Sequence, residues 1–354
     1  MKKNKEKLKI IRKKIDATDV LITKLLNKRA SLAKQTSQFK SQTVYDPERE
    51  KEVIKKISKN NTGPLNKTDI ENIYSEILSI CRGIQKPKTI SYLGPEGSHT
   101  QGAADKKFGI HTEKIPSKTI KDVFLSVEQK EADFGIVPLE NSIEGPVGET
   151  LDEFLISPVK IVGEFSRKIK HSLLSTQKDI KKIKTIYSHP QALAQSKRWI
   201  ANNAPDIVLK ESPSTSEAAK LASKNSMSAS ISPDVCSKIY NLNILHDSIN
   251  DDKNNTTIFI VISRDHEEVA ILKNTKVSIV FTLPDKPGSL FECLKPLKAH
   301  NLNLTKIQSR PSRKIQWDYN FYVDILVGSK VEETKKGLEK IKKIASYFKI
   351  LGAY

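Results

Sequence analysis

Cysteine is scarce in this chain of 354 residues, which contains three, at Cys81, Cys236 and Cys293. An odd number of widely separated cysteines provides neither a disulfide framework nor the close spacing of a metal site. The sequence therefore predicts a protein of a reducing compartment, the cytoplasm, in which no metal takes part.

Long apolar runs are also lacking. No stretch of the chain approaches the roughly 20 apolar residues that a membrane-spanning helix needs. The charged start Met1–Lys7 leads into an amphipathic segment and not into the apolar core of a signal peptide. We therefore expect no membrane partner.

Acidic residues are fewer than basic ones, since 41 Asp and Glu stand against 60 Lys and Arg, for a net charge of +19. The first 90 residues hold 22 basic and 10 acidic residues and so carry +12 of this charge. Such a balance can indicate nucleic-acid binding, but the lysines are scattered and aromatic residues make up 6% of the chain. A general bias toward Lys, Asn and Ile explains the charge more simply, so no nucleic-acid partner is predicted.

The first segment carries an apolar stripe with a charge in it. Residues spaced alternately by three and four are typical of one buried face of a helix, and here they are Leu8, Ile11, Ile15, Thr18, Ile22, Leu25, Arg29 and Leu32. A buried guanidinium without a partner costs several kcal/mol or more. Arg29 is therefore expected to meet either a structural carboxylate or an anionic ligand.

Helix geometry decides which basic residues can share a ligand. We predict one helix over roughly Lys5 to Lys40. Arg29 and Lys40 would lie about 16 Å apart along its axis and nearly in phase, whereas Arg12 and Arg29 would be about 25 Å apart and about 100° out of phase. Arg12 can then act only in a site completed by a second copy, which predicts an antiparallel, intertwined dimer.

Two shorter helices follow. Asp46 and Pro47 suit the N-cap and first position of one helix. Thr68 and Glu71 read as the capping box of the next. That last helix places an apolar stripe toward the core, formed by Ile70, Ile73, Ile77, Ile80 and Ile84, with Cys81 and Gln85 one turn apart near the same face.

Residues 5–86 resemble the all-helical chorismate mutase at the front of bacterial P-proteins. The resemblance lies in Ile11–Ile15, Lys28–Ala33, Phe39–Lys40, Asp46–Glu50 and Glu76–Gln85. It implies that Arg12, from the partner, and Arg29 hold the two carboxylates of chorismate. It also implies that Lys40 and Gln85 are the catalytic donors to the ether oxygen, and that further substrate-binding positions are Asp46, Arg49, Glu50 and Cys81.

This residue set suits a Claisen rearrangement. The reaction breaks a C–O bond while it forms a C–C bond, and negative charge builds on the ether oxygen. Donors aimed at that oxygen stabilise the transition state more than the ground state, and two guanidinium groups hold the flexible dicarboxylate in its folded form. We expect no cofactor.

The middle of the chain repeats a pattern of short apolar strands that end in polar loops before helices. The repeats are Thr89–Leu93 with Gly94–Thr100, Phe134–Pro138 with Leu139–Val147, Ile186–Ser188 with His189–Ala192, and Glu211–Ala218. This pattern predicts a parallel α/β architecture with a cleft at the strand ends. Helix capping is the simpler explanation of each hydroxyl cluster, and we expect Thr215 and Ser216 to be caps.

These segments in order resemble prephenate dehydratase over about residues 88–265. The resemblance implies two α/β lobes, similar to periplasmic binding proteins, with substrate between them. The positions that it places against the substrate are Asn141, Ser142, Ser188, Ser214 and Thr215.

The catalytic Thr-Arg-Phe signature of that family matches Thr257, Ile258 and Phe259. The resemblance makes Thr257 the catalytic hydroxyl, a hydrogen-bond donor to the departing hydroxide. Ile258 replaces an Arg whose charge would either bind a substrate carboxylate or help to shape the loop. A mutase with an inactive dehydratase domain is therefore one alternative.

The last part of the chain reads as βαββαβ, a ferredoxin-like order. Its strands are expected near Lys276–Leu283, Leu304–Arg310 and Trp317–Val327 and at the end of the chain, with helices after Asp285 and from Val331. Two stretches resemble the phenylalanine-binding signatures of the ACT domain. They are Gly288, Ser289 and Leu290, and Gln308, Ser309, Arg310 and Pro311, where Gln308 replaces the usual Glu. ACT pockets form between two copies; an effector-free dimerisation module is the alternative.

Together these features predict three domains. They are an all-α mutase domain over 1–87, an α/β two-lobed dehydratase domain over 88–268 and an α+β ACT domain over 269–354. The leading hypothesis is a bifunctional enzyme that converts chorismate through prephenate to phenylpyruvate under feedback by phenylalanine, as a homodimer or higher homo-oligomer. A second alternative is a non-enzymatic, ligand-sensing regulator with a basic arm on nucleic acid.

Overall fold

A computed structural model describes residues 2–36, 47–85, 88–109, 112–264, 271–273, 275–311, 319–329 and 331–354. The chain divides into two compact units. The first comprises residues 1–88 with 104–113, and the second comprises 89–103 with 114–354. In the described part of the chain, none of the helices has the length and apolarity to cross a membrane.

The first unit is helical, as predicted. Its helices are α1 (Lys2–Thr36), α2 (Pro47–Asn60) and α3 (Lys67–Gln85). Both α1 and α2 pack against α3. Residues 37–46, into which we predicted the first helix to extend, lie outside the described residues.

The start of α3 corrects the predicted capping box. The backbone N–H of Asp69 donates to the Asn66 side chain, and the backbone N–H of Asn66 donates to the Asp69 carboxylate. Thr68 and Glu71 lie inside the helix. The prediction was wrong by two residues because Asn and Asp form the same reciprocal cap as Thr and Glu.

The apolar stripe of α1 is not covered within the single chain. Its aliphatic members are between 48% and 57% exposed, and they are Leu8, Ile11, Ile15, Ile22, Leu25 and Leu32. On α3, the predicted core residues Ile73, Ile80 and Ile84 are exposed as well. This much exposed aliphatic surface is characteristic of an interaction face.

The second unit begins with two α/β lobes, as predicted. The first lobe contains β1 (Thr89–Leu93), α4 (His99–Phe108), β2 (Glu113–Ser117), α5 (Ile120–Glu128), β3 (Phe134–Asn141), β4 (Gly145–Pro146), α6 (Gly148–Ile156) and β5 (Lys160–Lys168). Of these elements, the end of α4 from Ala104 and the first residue of β2 fall in the residues of the first unit. The second lobe contains β6 (Ser172–Ser175), β7 (Thr185–Ser188), α7 (Pro190–Ala194), α8 (Lys197–Asn203), β8 (Val208–Glu211), α9 (Thr215–Ser223), β9 (Ser228–Ser232), α10 (Val235–Ile239) and β10 (Asn243–His246). The chain then returns to the first lobe through β11 (Thr256–Ser263).

Both sheets are mixed, which corrects the prediction of a parallel architecture. In the first lobe β1 and β3 are parallel, but β11 runs antiparallel between β3 and β5. In the second lobe β7 is parallel to β8 and β9, whereas β6 is antiparallel to β9 and β10. The antiparallel strands belong to the crossings between the lobes, where the chain leaves one sheet and returns to it.

The C-terminal part has the predicted βαββαβ order. Its elements are β12 (Lys276–Thr282), α11 (Ser289–Ala299), β13 (Asn303–Pro311), β14 (Tyr319–Leu326), α12 (Val331–Ile344) and β15 (Tyr347–Ala353). The four strands are antiparallel in the order β13-β14-β12-β15. One face packs on α11 and α12 around a core that includes Phe281, Cys293 and Leu338. The strand β15 also pairs with β5, at Gly352 and Ile161, so one sheet runs from this domain into the first lobe.

Candidate active sites

Arg29 in the first unit meets a thiol. Its guanidinium lies half-buried on α1 and donates a 2.8 Å hydrogen bond to Sγ of Cys81, which is buried on α3. Within the described residues no ion pair joins Arg29 to a carboxylate. The sequence left two possible partners for Arg29, a structural carboxylate and an anionic ligand. The described part of the chain does not provide the structural carboxylate.

The other predicted mutase residues are placed as follows. Arg12 is exposed on the same helix as Arg29, and Glu50 is half-buried on α2. Arg49 is exposed and forms a 3.0 Å ion pair with Glu52. Lys40 and Asp46 lie outside the described residues, as does the side chain of Gln85, the last residue of α3.

The candidate site expected in the α/β part of the chain centres on Thr257 and Asn141, which are paired across the neighbouring strands β11 and β3. The Asn141 side-chain amide donates a 2.8 Å hydrogen bond to the Thr257 hydroxyl oxygen. Its carbonyl oxygen accepts hydrogen bonds from the backbone N–H groups of Ile143 and Glu144, at 3.0 and 3.1 Å. The amide therefore has one orientation, and Thr257 keeps its own proton for donation to a further partner.

The polar network continues into residues that the sequence reasoning missed. The Asn141 amide also donates to Oδ1 of Asn255 at 2.8 Å, and Nδ2 of Asn255 donates to Oε1 of Gln195 at 3.1 Å. Nε2 of His171 lies 3.1 Å from the same Gln195 oxygen. The network thus joins the first lobe, through Thr257 and Asn141, to the second lobe, where Gln195 caps α7.

Two signals in the sequence could have revealed these residues. Gln195 follows the Ser188–Ala192 motif within one helical turn of its end, and Asn255 stands two residues before Thr257. Both are amides, which can donate and accept at once and so extend a buried network in both directions.

Two histidine rings lie beside this network. His171 is buried and His99 is half-buried, with ring centroids 5.2 Å apart in an edge-to-face arrangement. Burial, with the nearby His171 and Arg167, holds the pKa of His99 well below its usual range. Burial likewise lowers the pKa of His171, against the opposing effect of its hydrogen bond to Gln195. Both rings are therefore neutral near pH 7, and neutral His171 can donate from Nε2 to Gln195.

The predicted hydroxyl positions are used mainly within the fold. The Ser142 hydroxyl accepts from the backbone N–H of Thr256 at 3.0 Å, and the buried Ser188 hydroxyl donates to the Ile231 carbonyl at 2.6 Å. Ser214 caps α9 by accepting from the N–H of Glu217. The predicted caps Thr215 and Ser216 are instead the first two residues of that helix, which corrects the expectation for them.

Ile258 does not share a face with Thr257. Successive side chains of a strand point to opposite sides of the sheet, and Ile258 packs partly buried against the apolar core that contains Leu139 and Phe154. The replacement of Arg by Ile therefore changes the core side of β11 and leaves the Thr257 side as it is. The reason for expecting an inactive dehydratase is removed.

The two lobes touch at the loop after β1. The Ser216 hydroxyl donates to the Glu96 carbonyl, and the Cys236 thiol lies 3.3 Å from the Gly97 carbonyl. Gly97 has a φ of +85°, and a Cβ there would lie 2.8 Å from the Cys236 sulfur, so glycine alone suits the contact. Burial raises the pKa of the Cys236 thiol to about 12, which makes it an inert packing group and not a nucleophile.

The predicted regulatory residues of β13 lie on both faces of its sheet. Gln308 and Arg310 are half-buried, whereas Ser309 and Pro311 are exposed. Arg310 forms a 3.3 Å ion pair with Asp152 of α6 in the first lobe. Four residues earlier on β13, Lys306 forms a 2.5 Å ion pair with Glu140, the residue before Asn141.

The helix-start residues are arranged around one backbone feature. Gly288 is the N-cap of α11, with a φ of +82°, and Ser289 and Leu290 form the first turn. The N–H of Ser289 donates to the Lys286 carbonyl at 3.1 Å. Phe291, two residues after Ser289, is exposed, and so is Ile307 of β13.

Comparison with known proteins assigns all three parts of the chain. Residues 11–86 match the family Chorismate mutase type II, residues 90–267 match Prephenate dehydratase, and residues 277–345 match the ACT domain. These are the regions in which the three predicted folds occur, in the predicted order.

Full-length relatives have the same domain content. The bifunctional chorismate mutase/prephenate dehydratase of Aquifex aeolicus is 40% identical over 99% of this chain and 98% of its own length. That of Pseudomonas aeruginosa is 37% identical over the same shares. The crystal structure of prephenate dehydratase from Arthrobacter aurescens in complex with L-Phe is 28% identical, with a TM-score of 0.65 over 75% of this chain and 89% of that one. The chain belongs to the family of bifunctional chorismate mutase/prephenate dehydratases.

Proposed function

We propose that the first unit rearranges chorismate to prephenate, and that the cleft between the two α/β lobes converts prephenate to phenylpyruvate under feedback by phenylalanine. The observation that carries the dehydratase assignment is the 2.8 Å hydrogen bond from the Asn141 amide to the Thr257 hydroxyl. It leaves the threonine proton available for a departing group between the lobes.

In the mutase reaction, Arg29 binds one carboxylate of chorismate. Its half-buried position and its thiol partner support this role, since a weak acceptor such as Cys81 leaves most of the guanidinium charge uncompensated. Lys40 and Gln85 supply the donors that stabilise the developing charge on the ether oxygen. Asp46, Arg49 and Glu50 are further substrate-binding positions of this site.

A second copy of the chain completes the mutase site. The exposed aliphatic stripe of α1 supports this dimer, because roughly half of each of its side chains would otherwise face water. Arg12 lies too far along the helix to reach the same ligand as Arg29, so it serves the partner's site.

In the dehydratase reaction, the ring carboxylate of prephenate leaves as CO2, and its bonding electrons make the ring aromatic and expel the hydroxyl group. The departing hydroxide takes up one proton and leaves as water. Thr257 donates a hydrogen bond to this oxygen as charge develops on it. Asn141 holds the threonine, and Asn255 with Gln195 fixes the amide orientations, so the donors need no rearrangement during the reaction.

The remaining predicted residues of this cleft position the substrate. Ser142 follows β3, and Ser214 and Thr215 lie at the start of α9, next to Ser216, which contacts the loop after β1 in the other lobe. Ser188 supports the cleft from within the second sheet, because its hydroxyl is committed to the Ile231 carbonyl.

Phenylalanine binds at the ACT domain between two copies, near Gly288, Ser289, Leu290 and the open face of β13. The exposed side chains of Phe291 and Ile307 support an apolar site there. On the other face, the ion pairs of Lys306 and Arg310 connect the same strand to the dehydratase lobe. A movement of β13 therefore displaces the partner of Glu140, the residue next to Asn141.

The test is phenylpyruvate formation from purified prephenate, with and without phenylalanine. We expect turnover that phenylalanine suppresses. A folded protein that converts chorismate but not prephenate would contradict the dehydratase assignment, and turnover insensitive to phenylalanine would contradict the regulatory one.

A further inference from the structure

Arg167 of β5 lies directly across the ladder from Thr257 of β11. Residues that face each other in a ladder project to the same side of the sheet, with Cβ atoms about 5 Å apart. Arg167 therefore shares the cleft side with the Thr257 hydroxyl, whereas Ile258 lies on the core side.

The surroundings of Arg167 place its guanidinium between the lobes. Nη1 donates a 2.8 Å hydrogen bond to the carbonyl of His99, and Nη2 lies 3.9 Å from the carboxylate of Asp234 in the second lobe. The guanidinium lies against Gly102, where a Cβ would come within 2.2 Å of Nη1. The side chain is 19% exposed, so the charge is partly desolvated but can still be reached from the cleft.

We propose that Arg167 binds the pyruvyl carboxylate of prephenate. This inference rests on the proposed dehydratase function and names the group that recognises its dianionic substrate. A guanidinium has five N–H donors in a planar fork, which allows it to hold a carboxylate while it also donates to the His99 carbonyl.

The chemistry selects which carboxylate is bound. The ring carboxylate must lose its charge as CO2, so a cation beside it would stabilise the ground state and slow the reaction. The pyruvyl carboxylate keeps its charge throughout and remains in phenylpyruvate. The Arg167 side chain reaches from the strand position beside Thr257 to the His99 carbonyl, so its guanidinium can hold the pyruvyl carboxylate while Thr257 faces the hydroxyl on the opposite ring carbon. The same guanidinium also binds the product.

The experiment compares Arg167→Leu and Arg167→Lys with Asp234→Asn in the full-length chain. For Arg167→Leu we expect the KM for prephenate to rise about 10- to 100-fold, with kcat within about threefold. The inhibition constant of phenylpyruvate should rise in parallel, and Arg167→Lys should restore part of both. Chorismate turnover by the same preparation should not change, since Arg167 lies in the other unit.

The Asp234→Asn variant distinguishes two roles of Arg167. One is binding of the substrate carboxylate, and the other is a structural ion pair with Asp234 between the lobes. Asn keeps the cap that Asp234 provides to α10 but removes the charge beside Arg167. If Arg167 binds substrate, this variant should keep or lower the KM for prephenate. If Asp234→Asn raises KM as much as Arg167→Leu does, or if Arg167→Leu leaves both KM and product inhibition unchanged, the proposal is overturned.

The double variant Arg167→Leu with Ile258→Arg tests the assignment of faces. We expect no recovery of KM, because position 258 points into the core; recovery would overturn the proposal. Thermal unfolding of each variant shows whether the second unit is folded, and Arg167→Lys retains the test if Arg167→Leu unfolds. Absence of phenylpyruvate from the wild-type protein would contradict the proposed function itself, a result distinct from either outcome above.

Discussion

The Arg310 guanidinium and the Asp152 carboxylate form a 3.3 Å ion pair between β13 of the ACT domain and α6 of the dehydratase lobe. Both side chains are largely buried, and the guanidinium lies against Gly148, where a Cβ would come within 2.2 Å of Nη1. Such a pair responds to small movements of either element, because a partly buried charge is costly to leave without its partner.

We therefore expect Asp152→Asn to weaken inhibition of the dehydratase by phenylalanine about fivefold or more, within the usual range of allosteric coupling energies. Phenylalanine binding itself should change little. Inhibition curves and calorimetry on the same protein measure the two quantities. Glu332→Gln, which breaks an exposed pair with Lys335, is the matched control and should change neither. An equal loss of binding and inhibition in Asp152→Asn would argue against a coupling role.

The substitution Asn141→Asp tests the orientation of the Thr257 hydroxyl, which we propose to be catalytic. A carboxylate of the same shape cannot donate to Thr257 and would instead accept the threonine proton, which removes that proton from the leaving group. We expect kcat for prephenate to fall about 10²- to 10³-fold, as on loss of one preorganised donor. Chorismate turnover provides the internal control, and Asn203→Asp on the exposed part of α8 the matched one. Nearly normal kcat in Asn141→Asp would show that Thr257 does not act as a donor.

Mixed dimers test the shared mutase site. Arg12→Ala and Arg29→Ala should each abolish most chorismate turnover. In a heterodimer of the two, one site has both arginines and the other has neither. Random exchange of subunits should therefore recover about a quarter of the wild-type activity. Failure to recover any activity, with exchange confirmed by differently tagged chains, would show that Arg12 and Arg29 do not complete the same site.

His99 and His171 predict how the free energy of unfolding changes as the pH falls. The pKa values of His99 and His171 are lowered in the folded protein. Above the usual histidine pKa of about 6.5, these side chains are neutral in both the folded and the unfolded chain, so they do not make stability depend on pH there. As the pH falls below that value, the unfolded chain takes up protons that the folded chain excludes, and stability falls by up to about 1.4 kcal/mol per pH unit for each histidine.

His99→Phe removes one of these groups and keeps a ring in the edge-to-face contact. Urea unfolding of the full-length protein at pH 7.0, 6.0 and 5.5, values chosen to span the usual histidine pKa of about 6.5, measures the effect. We expect the urea concentration at the unfolding midpoint of the variant to rise relative to that of the wild type as the pH falls. A constant difference at all three pH values would mean that the pKa of His99 is not lowered in the folded protein.

The strands and helices of this fold could be predicted where the pattern is local. The strand Thr89–Leu93 and the last three strands follow from runs of β-branched and aromatic residues. The same strand periodicity already implied that Ile258 and Thr257 point to opposite sides. Applied at that position, it would have removed the reason to doubt the dehydratase.

The contacts of the candidate site could not be predicted in the same way. Asn255 meets Gln195 across 60 residues of sequence, and Asn141 meets Thr257 across 116. Arg167 faces Thr257 only because β5 and β11 pair in one particular register. Register and pairing over such separations depend on the assembled sheet, which single-sequence patterns do not contain.

The sheet that joins the ACT domain to the first lobe affects how the chain can be divided. A Cβ at Gly352 would lie 2.2 Å from the Ile161 carbonyl oxygen, and the ammonium groups of Lys160 and Lys349 each donate across the junction to backbone carbonyls at 2.6 Å. A chain truncated before β15 would expose the edge of β5 as a template for aggregation. Desensitised forms of this enzyme are therefore better sought among point substitutions on β13 than among deletions of the regulatory module.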